Sequence, residues 1–385
     1  MSASPQSFKL SPLNKSSTII TTHPTMAPNI LITGAAGYIG GSILSDFLTI
    51  YSSEINKEHV HAAVRTEQQA KDLSELGIKV HQIDLTDESN VADVVIKNHV
   101  SIVIQTASSL NPSLSVNLLT ALGKQKQISR EQTYFVHTSG ISAFYEKSGW
   151  PSWEMKDDDQ IFAVEKQSAD SYPIRKTDIA VIEHARALGV TSFIVIPTTV
   201  YGEGSGVWNR LSIIMPPLVQ ASLQLKRVYK FAENTKVSGV HITDLTALYW
   251  RITQAILQKE DIPDGEEGYY FAKAHTLYQW DVLEHLAKAL KQRAFIEDDK
   301  TEFWPSDGFA AQSIGVPEQF LEALWKSGDK LTTTRAQSIG WKPQWDETRF
   351  LENINDEINA VLKHEKAKSS LVDSLFAAAG EGLKY

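Results

Sequence analysis

Residues 31–41 read LITGAAGYIGG. A short apolar run enters three glycines, Gly34, Gly37 and Gly40, spaced every third position. The segment NILIT before and into them (29–33) reads as a short buried strand. After them Ile39, Ile43, Phe47 and Tyr51 recur every fourth residue, with Leu44 and Leu48 beside them, which is the stripe of a helix. The glycines therefore lie where a strand turns into a helix. There the first glycine permits a tight turn, the second removes a Cβ where a pyrophosphate comes close, and the third lets helix and sheet pack tightly. Phosphates in such a turn sit on free N–H groups at the positive end of the helix dipole. The spacing predicts a dinucleotide cradle built from Gly34, Ala36, Gly37, Tyr38, Ile39 and Gly40.

Outward from the cradle the pattern repeats. HVHAAV (59–64), KVHQID (79–84), VSIVIQTA (100–107), TYFVHTS (133–139) and TSFIVIP (191–197) read as strands, separated by helical or loop segments such as a polar helix around 67–76. Alternation of this kind implies right-handed crossovers and a parallel sheet covered on both faces. The predicted fold class is α/β, a Rossmann doubly wound parallel sheet with a smaller, mostly helical C-terminal substrate lobe. The NAD(P)-binding Rossmann domain spans 28–200 with returning segments about 236–275, and YYFA (269–272) offers one more strand. The lobe takes 201–235 and 276–363, with helices at about 211–225, around Val282–Leu290 and around Phe350–Leu362. Residues 1–27, rich in Ser, Thr and Pro, and 364–385 are expected to be tails. The first tail carries Lys9 and Lys15 but no arginine, a weak targeting signal, and Met26 offers an alternative start.

The 385 residues suit one large α/β unit with an added lobe. A formal net charge of −9 disfavours nucleic acid as a partner, because an acidic chain repels phosphate backbones. No apolar run reaches membrane-spanning length, so neither a membrane nor a lipid partner is expected. The absence of cysteine excludes disulfides and thiolate chemistry, and the eleven histidines show no metal-ligand spacing, so no metal is expected. These features together suggest a cytoplasmic protein acting on a small-molecule substrate and are compatible with a homodimer.

The second strand decides between dinucleotides. An NAD site usually places an acid at its end, to bond the ribose hydroxyls. Here Val64 is followed by Arg65, and no acid appears until Glu67. An arginine suits a 2′-phosphate, so NADP(H) is favoured over NAD(H). Asp84 and Leu85, closing the third strand, are candidates for the adenine edge; Asp84 equally suits a helix cap.

Tyr172 and Lys176 stand four residues apart at the start of a predicted helix, with Pro173 in its first turn. At helical spacing the two share a face. A carbonyl that receives hydride must also receive a proton, and a phenol beside an ammonium can supply it. Lysine can also bond ribose hydroxyls.

With TGAAGYIG, FVHTSG, Tyr172 and Lys176, IPTTVYG and GVHITDL in place, the chain resembles the extended short-chain dehydrogenase/reductase family, of the NAD-dependent epimerase/dehydratase-like kind. The likeness spans roughly residues 28–290. It implies that Tyr172 is the acid/base and Lys176 its partner, that Pro197, Thr199 and Val200 meet the nicotinamide, and that Ala107 borders the cofactor. Relatives often carry two serines after the fifth strand; here the run is Thr138-Ser139-Gly140-Ile141-Ser142, with glycine where the second serine is expected. Ser139 is taken as the donor to the substrate oxygen, with Ser142 next and facing substrate. Trp208 and Arg210, in the glycine-rich loop after Pro197, are expected at the substrate. Tyr145, Trp150 and Trp153 either line the pocket or serve the core. His241 and Asp244 are expected to hold the chain's return. The reading is an NADP(H)-dependent oxidoreductase on a small apolar or aromatic carbonyl or alcohol. The alternatives are a nucleotide-sugar epimerase or dehydratase that retains NAD, and a non-enzymatic NAD(P)-binding redox sensor.

Overall fold

The computed structural model describes Met1 and residues 27–380, apart from Ser327, Asp329 and 365–369. The segment 2–26 and, of the expected C-terminal tail, 365–369 and 381–385 lie outside the described residues.

Seven parallel strands form the main sheet: β1 (Asn29–Thr33), β2 (Val60–Val64), β3 (Lys79–Gln82), β4 (Val100–Gln105), β5 (Tyr134–Thr138), then, beyond the short β6 (Met155–Lys156), β7 (Thr191–Pro197) and finally β11 (Tyr269–Ala272). Three more precede β11 in the chain: β8 (Thr199–Tyr201), β9 (Tyr229–Lys230) and β10 (Lys236–His241). The order across the sheet is β3-β2-β1-β4-β5-β7-β11. Pairing reverses direction at β1 and β4, and the crevice at their C-terminal ends is where a doubly wound sheet binds ligands. The strands read from the sequence are these strands, each shortened by a residue or two at its ends except 29–33, 191–197 and 269–272, which match. Their side chains are buried because both faces are covered. Helix α1 (Tyr38–Thr49) packs with α8 (Ile242–Gln258) on one face, with α2 (Glu67–Ser74) at its edge. On the other face lie α3 (Glu88–Lys97), α4 (Pro112–Ser129) and, after α5 (Ile161–Gln167), α6 (Pro173–Leu188).

The lobe is built on α7 (Met215–Leu225), α9 (Gln279–Gln292), α10 (Asp307–Ile314) and α12 (Glu347–His364), whose apolar stripes meet in a core of their own. Between them run β12 (His275–Tyr278), β13 (Glu302–Phe303), β14 (Leu331–Thr332) and the short α11 (Arg335–Ser338). Within the segment expected as a C-terminal tail, Ser370–Ala378 forms a further helix, α13, consistent with the spacing of Leu371, Leu375 and Phe376. Strand β8 pairs in parallel with β10, which pairs antiparallel with β12, and this small sheet joins lobe to main domain.

His241 and Asp244 hold the return of the chain, as expected. His241 caps α8 and stacks on Trp345 at 3.7 Å between centroids. The Asp244 carboxylate accepts from the Gln344 and Trp345 N–H groups, each at 2.9 Å. A link absent from the sequence reading is β14, which crosses back to pair with β6; Asp157 fixes it by accepting from the N–H groups of Thr334 and Arg335 at 2.7 and 2.8 Å. Among the described residues no helix is long and apolar enough to cross a membrane, and no His/Asp/Glu group is arranged to hold a metal ion.

Candidate active site

The glycine turn has the geometry its spacing implies. Gly34 adopts φ +68°, a left-handed conformation that disfavours other residues, and a Cβ there would lie 2.7 Å from the Thr106 carbonyl carbon. A Cβ on Gly40 would meet Thr106 Oγ1 and lie 2.5 Å from Gly34 O, so this glycine sets the contact between α1 and the end of β4. Gly37 is the N-cap of α1 and offers no side-chain acceptor. The first amides of α1 are therefore left for an external acceptor, which is what a pyrophosphate supplies. On this test the residues fit a dinucleotide. Ala36 is buried and Ile39 half-buried beside the turn. Tyr38 turns away from it: its hydroxyl donates to Gly202 O at 2.7 Å and ties the cradle to the loop after β8.

Around the turn, Arg65 stands exposed one residue past β2, its backbone held by the side chains of Gln69 and Gln82. Asp84 lies beyond β3, not within it. Its carboxylate accepts from Thr86 N–H and Oγ1 at 2.9 and 2.8 Å, and these bonds, with a smaller contribution from Arg65, hold it below the usual carboxylate range. Leu85 is buried, and its carbonyl accepts from Asn117. Ala107 is half-buried beside Gly34. Pro197 ends β7, and Thr199 and Val200 open β8, so both flank the same edge of the sheet.

The tyrosine corner differs from the helical face predicted for Tyr172 and Lys176. Tyr172 is the N-cap of α6, with extended backbone (φ −152°, ψ 131°), and helical periodicity starts only at Pro173. Tyr172 is consequently buried, whereas the Lys176 side chain is 52% exposed and pairs with Asp170 at 3.1 Å. The buried cation beside Tyr172 is Arg175. Its Nε donates to Ala143 O and its Nη1 to Ser171 Oγ, both at 2.6 Å, and its guanidinium lies 5.2 Å from the Trp150 ring and 5.8 Å from the Tyr172 ring. Burial raises the Tyr172 phenol above its ordinary value, while a hydrogen bond with Ser142 and the Arg175 charge pull it back. The phenol is thus protonated at neutral pH and poised to donate.

Ser139 does not face this corner. Its hydroxyl donates to Asp178 Oδ2 at 2.5 Å inside a buried network. The other Asp178 oxygen lies 3.2 Å from His137 Nε2, and His137 Nδ1 lies 3.0 Å from Gln105 Oε1. Glu165 adjoins Asp178 and accepts from Tyr269 at 2.5 Å; burial and the Asp178 charge push its carboxyl well above the usual range, so the acid pair keeps a proton. Asp178 lies with Ile174 and Ile182 among the buried residues of α6. Ser142, the second choice, is the hydroxyl at Tyr172.

A cavity with about 650 Å³ of free space, part of it open to solvent, lies between the sheet edge and the lobe. Ile141 and Thr199 line it on the sheet side, and Met215, Leu218, Val282 and Trp325 on the lobe side. Ile141 immediately precedes Ser142 in the chain, while Ser142 and Tyr172 are not among the residues that line the cavity. Among the described residues that line it, Lys236 alone is charged.

The profile of the NAD dependent epimerase/dehydratase family matches residues 30–263, more than half of the chain. The chain belongs to that family. Its members bind an NAD(P) nucleotide, in agreement with the cradle. No curated protein sequence matches the chain. Solved structures share the fold: UDP-glucose 4-epimerase from Thermotoga maritima is 14% identical, with 88% of this chain and 100% of that one covered and a TM-score of 0.60. L-threonine dehydrogenase from Clostridium difficile is 18% identical, covering 86% and 98%, with a TM-score of 0.58. Vestitone reductase from alfalfa is 16% identical, covering 88% and 99%, with a TM-score of 0.55. At these identities the likeness is one of fold.

In this epimerase/dehydratase-family chain the two lobe residues expected at the substrate do not line the cavity described above. Trp208 packs half-buried against the main core. Arg210 closes its own loop, with Nε donating to Gly206 O at 2.8 Å and the guanidinium 3.5 Å from Glu203. Trp150 is buried against Phe144, and Trp153 is exposed. Arg175, Trp325 and Gln279 were not singled out in the sequence. For Arg175 a signal existed, a charged residue one helical turn before the apolar Ile179; for the other two, whose partners are far off in the chain, none did.

Proposed function

We propose that this chain is an NADP(H)-dependent oxidoreductase that interconverts a carbonyl and an alcohol on a small, largely apolar substrate. The observation that carries the reading is the buried Tyr172 hydroxyl bonded to Ser142, whose chain neighbour Ile141 lines a largely apolar cavity. The nicotinamide, when bound, supplies or accepts the hydride. Tyr172 gives the carbonyl oxygen its proton in reduction and takes it back in oxidation. Ser142 orients that oxygen by hydrogen bonding. Arg175 opposes the effect of burial on the phenol, and Ala143 O and Ser171 Oγ hold Arg175 in place. Lys176, paired with exposed Asp170, is placed to exchange that partner for a ribose hydroxyl of the cofactor. Arg65 would meet the 2′-phosphate that distinguishes NADP(H).

The lining of the cavity favours this reading over a nucleotide-sugar epimerase. A diphosphate outside a glycine turn is commonly bound by Arg and Lys, and the described residues of the wall include Lys236 as their one cation. The Tyr172–Ser142 pair favours it over a sensor, which needs no proton donor. Substituting Phe for Tyr172 tests the proposal: reduction of apolar carbonyls should fall by about 100- to 10,000-fold while NADPH still raises thermal stability as in the unaltered chain. Retained turnover would remove Tyr172 from the mechanism, and stronger stabilisation by NADH than by NADPH would remove Arg65 from cofactor choice.

A further inference from the structure

Among the described residues, the buried polar atoms without a hydrogen-bond partner include Gln279 Oε1, Trp325 Nε1 and Thr235 Oγ1. All three residues line the cavity. They form one connected cluster. The Gln279 backbone N–H donates to Thr235 O at 2.9 Å, and the Gln279 side-chain Nε2 donates to Trp325 O at 2.5 Å. That second bond fixes the orientation of the amide, because a carbonyl accepts only from its nitrogen, and so leaves Oε1 as a spare acceptor. The Trp325 indole offers a spare donor, and Thr235 can do either. Trp325 sits in a wide helical turn, Glu322–Lys326, of a kind that is rare and concentrated at functional sites. Gly328 closes the turn onto the strand: a Cβ there would lie 3.1 Å from Lys236 O and 3.4 Å from Thr235 Cβ. Gln279 and Trp325 are each 4% exposed, and buried polar groups left without partners are costly unless a ligand or water completes them.

The strand register gives a ruler. Gly239 of β10 is level with Thr199 of β8, at the edge assigned to the nicotinamide. Thr235 precedes Gly239 by four residues, or roughly 13 Å along an extended chain. We infer that Thr235, Gln279 and Trp325 form a subsite for a distal hydroxyl of the substrate, on an otherwise apolar molecule whose reacting carbonyl lies at Tyr172. The donor and acceptor together select a hydroxyl, which both gives and takes a hydrogen bond, over an ether or a halogen. The inference rests on the reading that this cavity holds the substrate.

The test uses the full chain saturated with NADP(H) and two probes, a ketone linked through an alkyl chain to a hydroxyphenyl ring so that its hydroxyl lies roughly 13 Å from its carbonyl, and its phenyl parent, with both binding and reduction measured. The hydroxylated ketone should bind about tenfold more tightly or better. Combining Trp325→Phe with Thr235→Val should bring the ratio of the two affinities close to one; if that pair does not fold, Thr235→Val alone should lower the ratio. An affinity ratio near one in the unaltered chain, a ratio that survives the substitutions, or failure to bind either ketone would overturn the subsite. Discrimination in binding without any reduction would keep the subsite and defeat the oxidoreductase reading. Reduction of both ketones without discrimination would do the reverse.

Discussion

The glycine cradle and the tyrosine corner adjoin one sheet edge, but they are assembled in opposite ways. The cradle is seven consecutive residues, Gly34–Gly40, acting through backbone amides and the absence of side chains. The corner draws Ser142, Tyr172 and Arg175 from two separate segments and acts through side chains held by burial. One is a consequence of local conformation, the other of tertiary packing. Damage to the first should therefore appear in cofactor affinity, and damage to the second in turnover.

Substitutions can break that division. With Tyr172 itself left in place, the largest effect is expected for Ser142→Ala, which removes the hydroxyl at Tyr172. Turnover should fall about 100- to 1,000-fold with the cofactor Kd unchanged, whereas Ser139→Ala, whose hydroxyl is engaged by Asp178, should have the smaller effect in the same steady-state assay. Gly40→Ala is the counterpart in the cradle. Its neighbours are Thr106 Oγ1 and the Gly34 backbone, which can give little, so overpacking should weaken cofactor binding by about 10- to 100-fold in a titration.

A smaller effect, of about tenfold, should follow Arg175→Gln and show in the pH profile. The Arg175 cation favours the phenolate, so its loss raises the Tyr172 pKa further. Alcohol oxidation needs the phenolate and should shift its rising limb to higher pH, and Arg175→Lys should restore it. Movement of the limb in Lys176→Ala instead would return the cationic role to Lys176.

The smallest effect tests the tie between cradle and lobe, which runs from Tyr38 through Gly202 to Glu357. Burial holds the Glu357 carboxyl at about 7, against an ordinary 4.5, despite the Gly202 N–H bond that lowers it. The folded chain thus binds this proton more tightly than the unfolded chain. The resulting stability is fully present below about pH 4.5 and is lost as pH rises through about 7. Glu357→Gln should remove that dependence, leaving the Tm a few degrees above that of the unaltered chain at about pH 8 and similar at about pH 4.

The same contrast explains what could be read from the sequence. Strands β1, β4, β5 and β7 were legible because a sheet covered on both faces demands continuous apolar runs, and the cradle was legible because all of it lies in one turn. The pairing of Tyr172 with Lys176 was misread because helical spacing was applied to a residue that precedes the helix. Ser139 was preferred to Ser142 because its engagement by Asp178 depends on a residue 39 positions away. Trp208 and Arg210 were expected at the substrate because their loop is irregular and glycine-rich, yet Arg210 is satisfied within that loop by Gly206 and Glu203. Trp325 carries no local signal at all; only the fold brings its turn to Thr235 and Gln279.

The central claim is that the cradle and the corner together perform net hydride transfer. It is tested most directly by supplying NADPH deuterated at the transferring position with a panel of apolar ketones and following the label by mass spectrometry. The account predicts one deuterium in the product alcohol for each NADPH consumed. An unlabelled product formed from a nucleotide sugar, with the cofactor unconsumed, would contradict it.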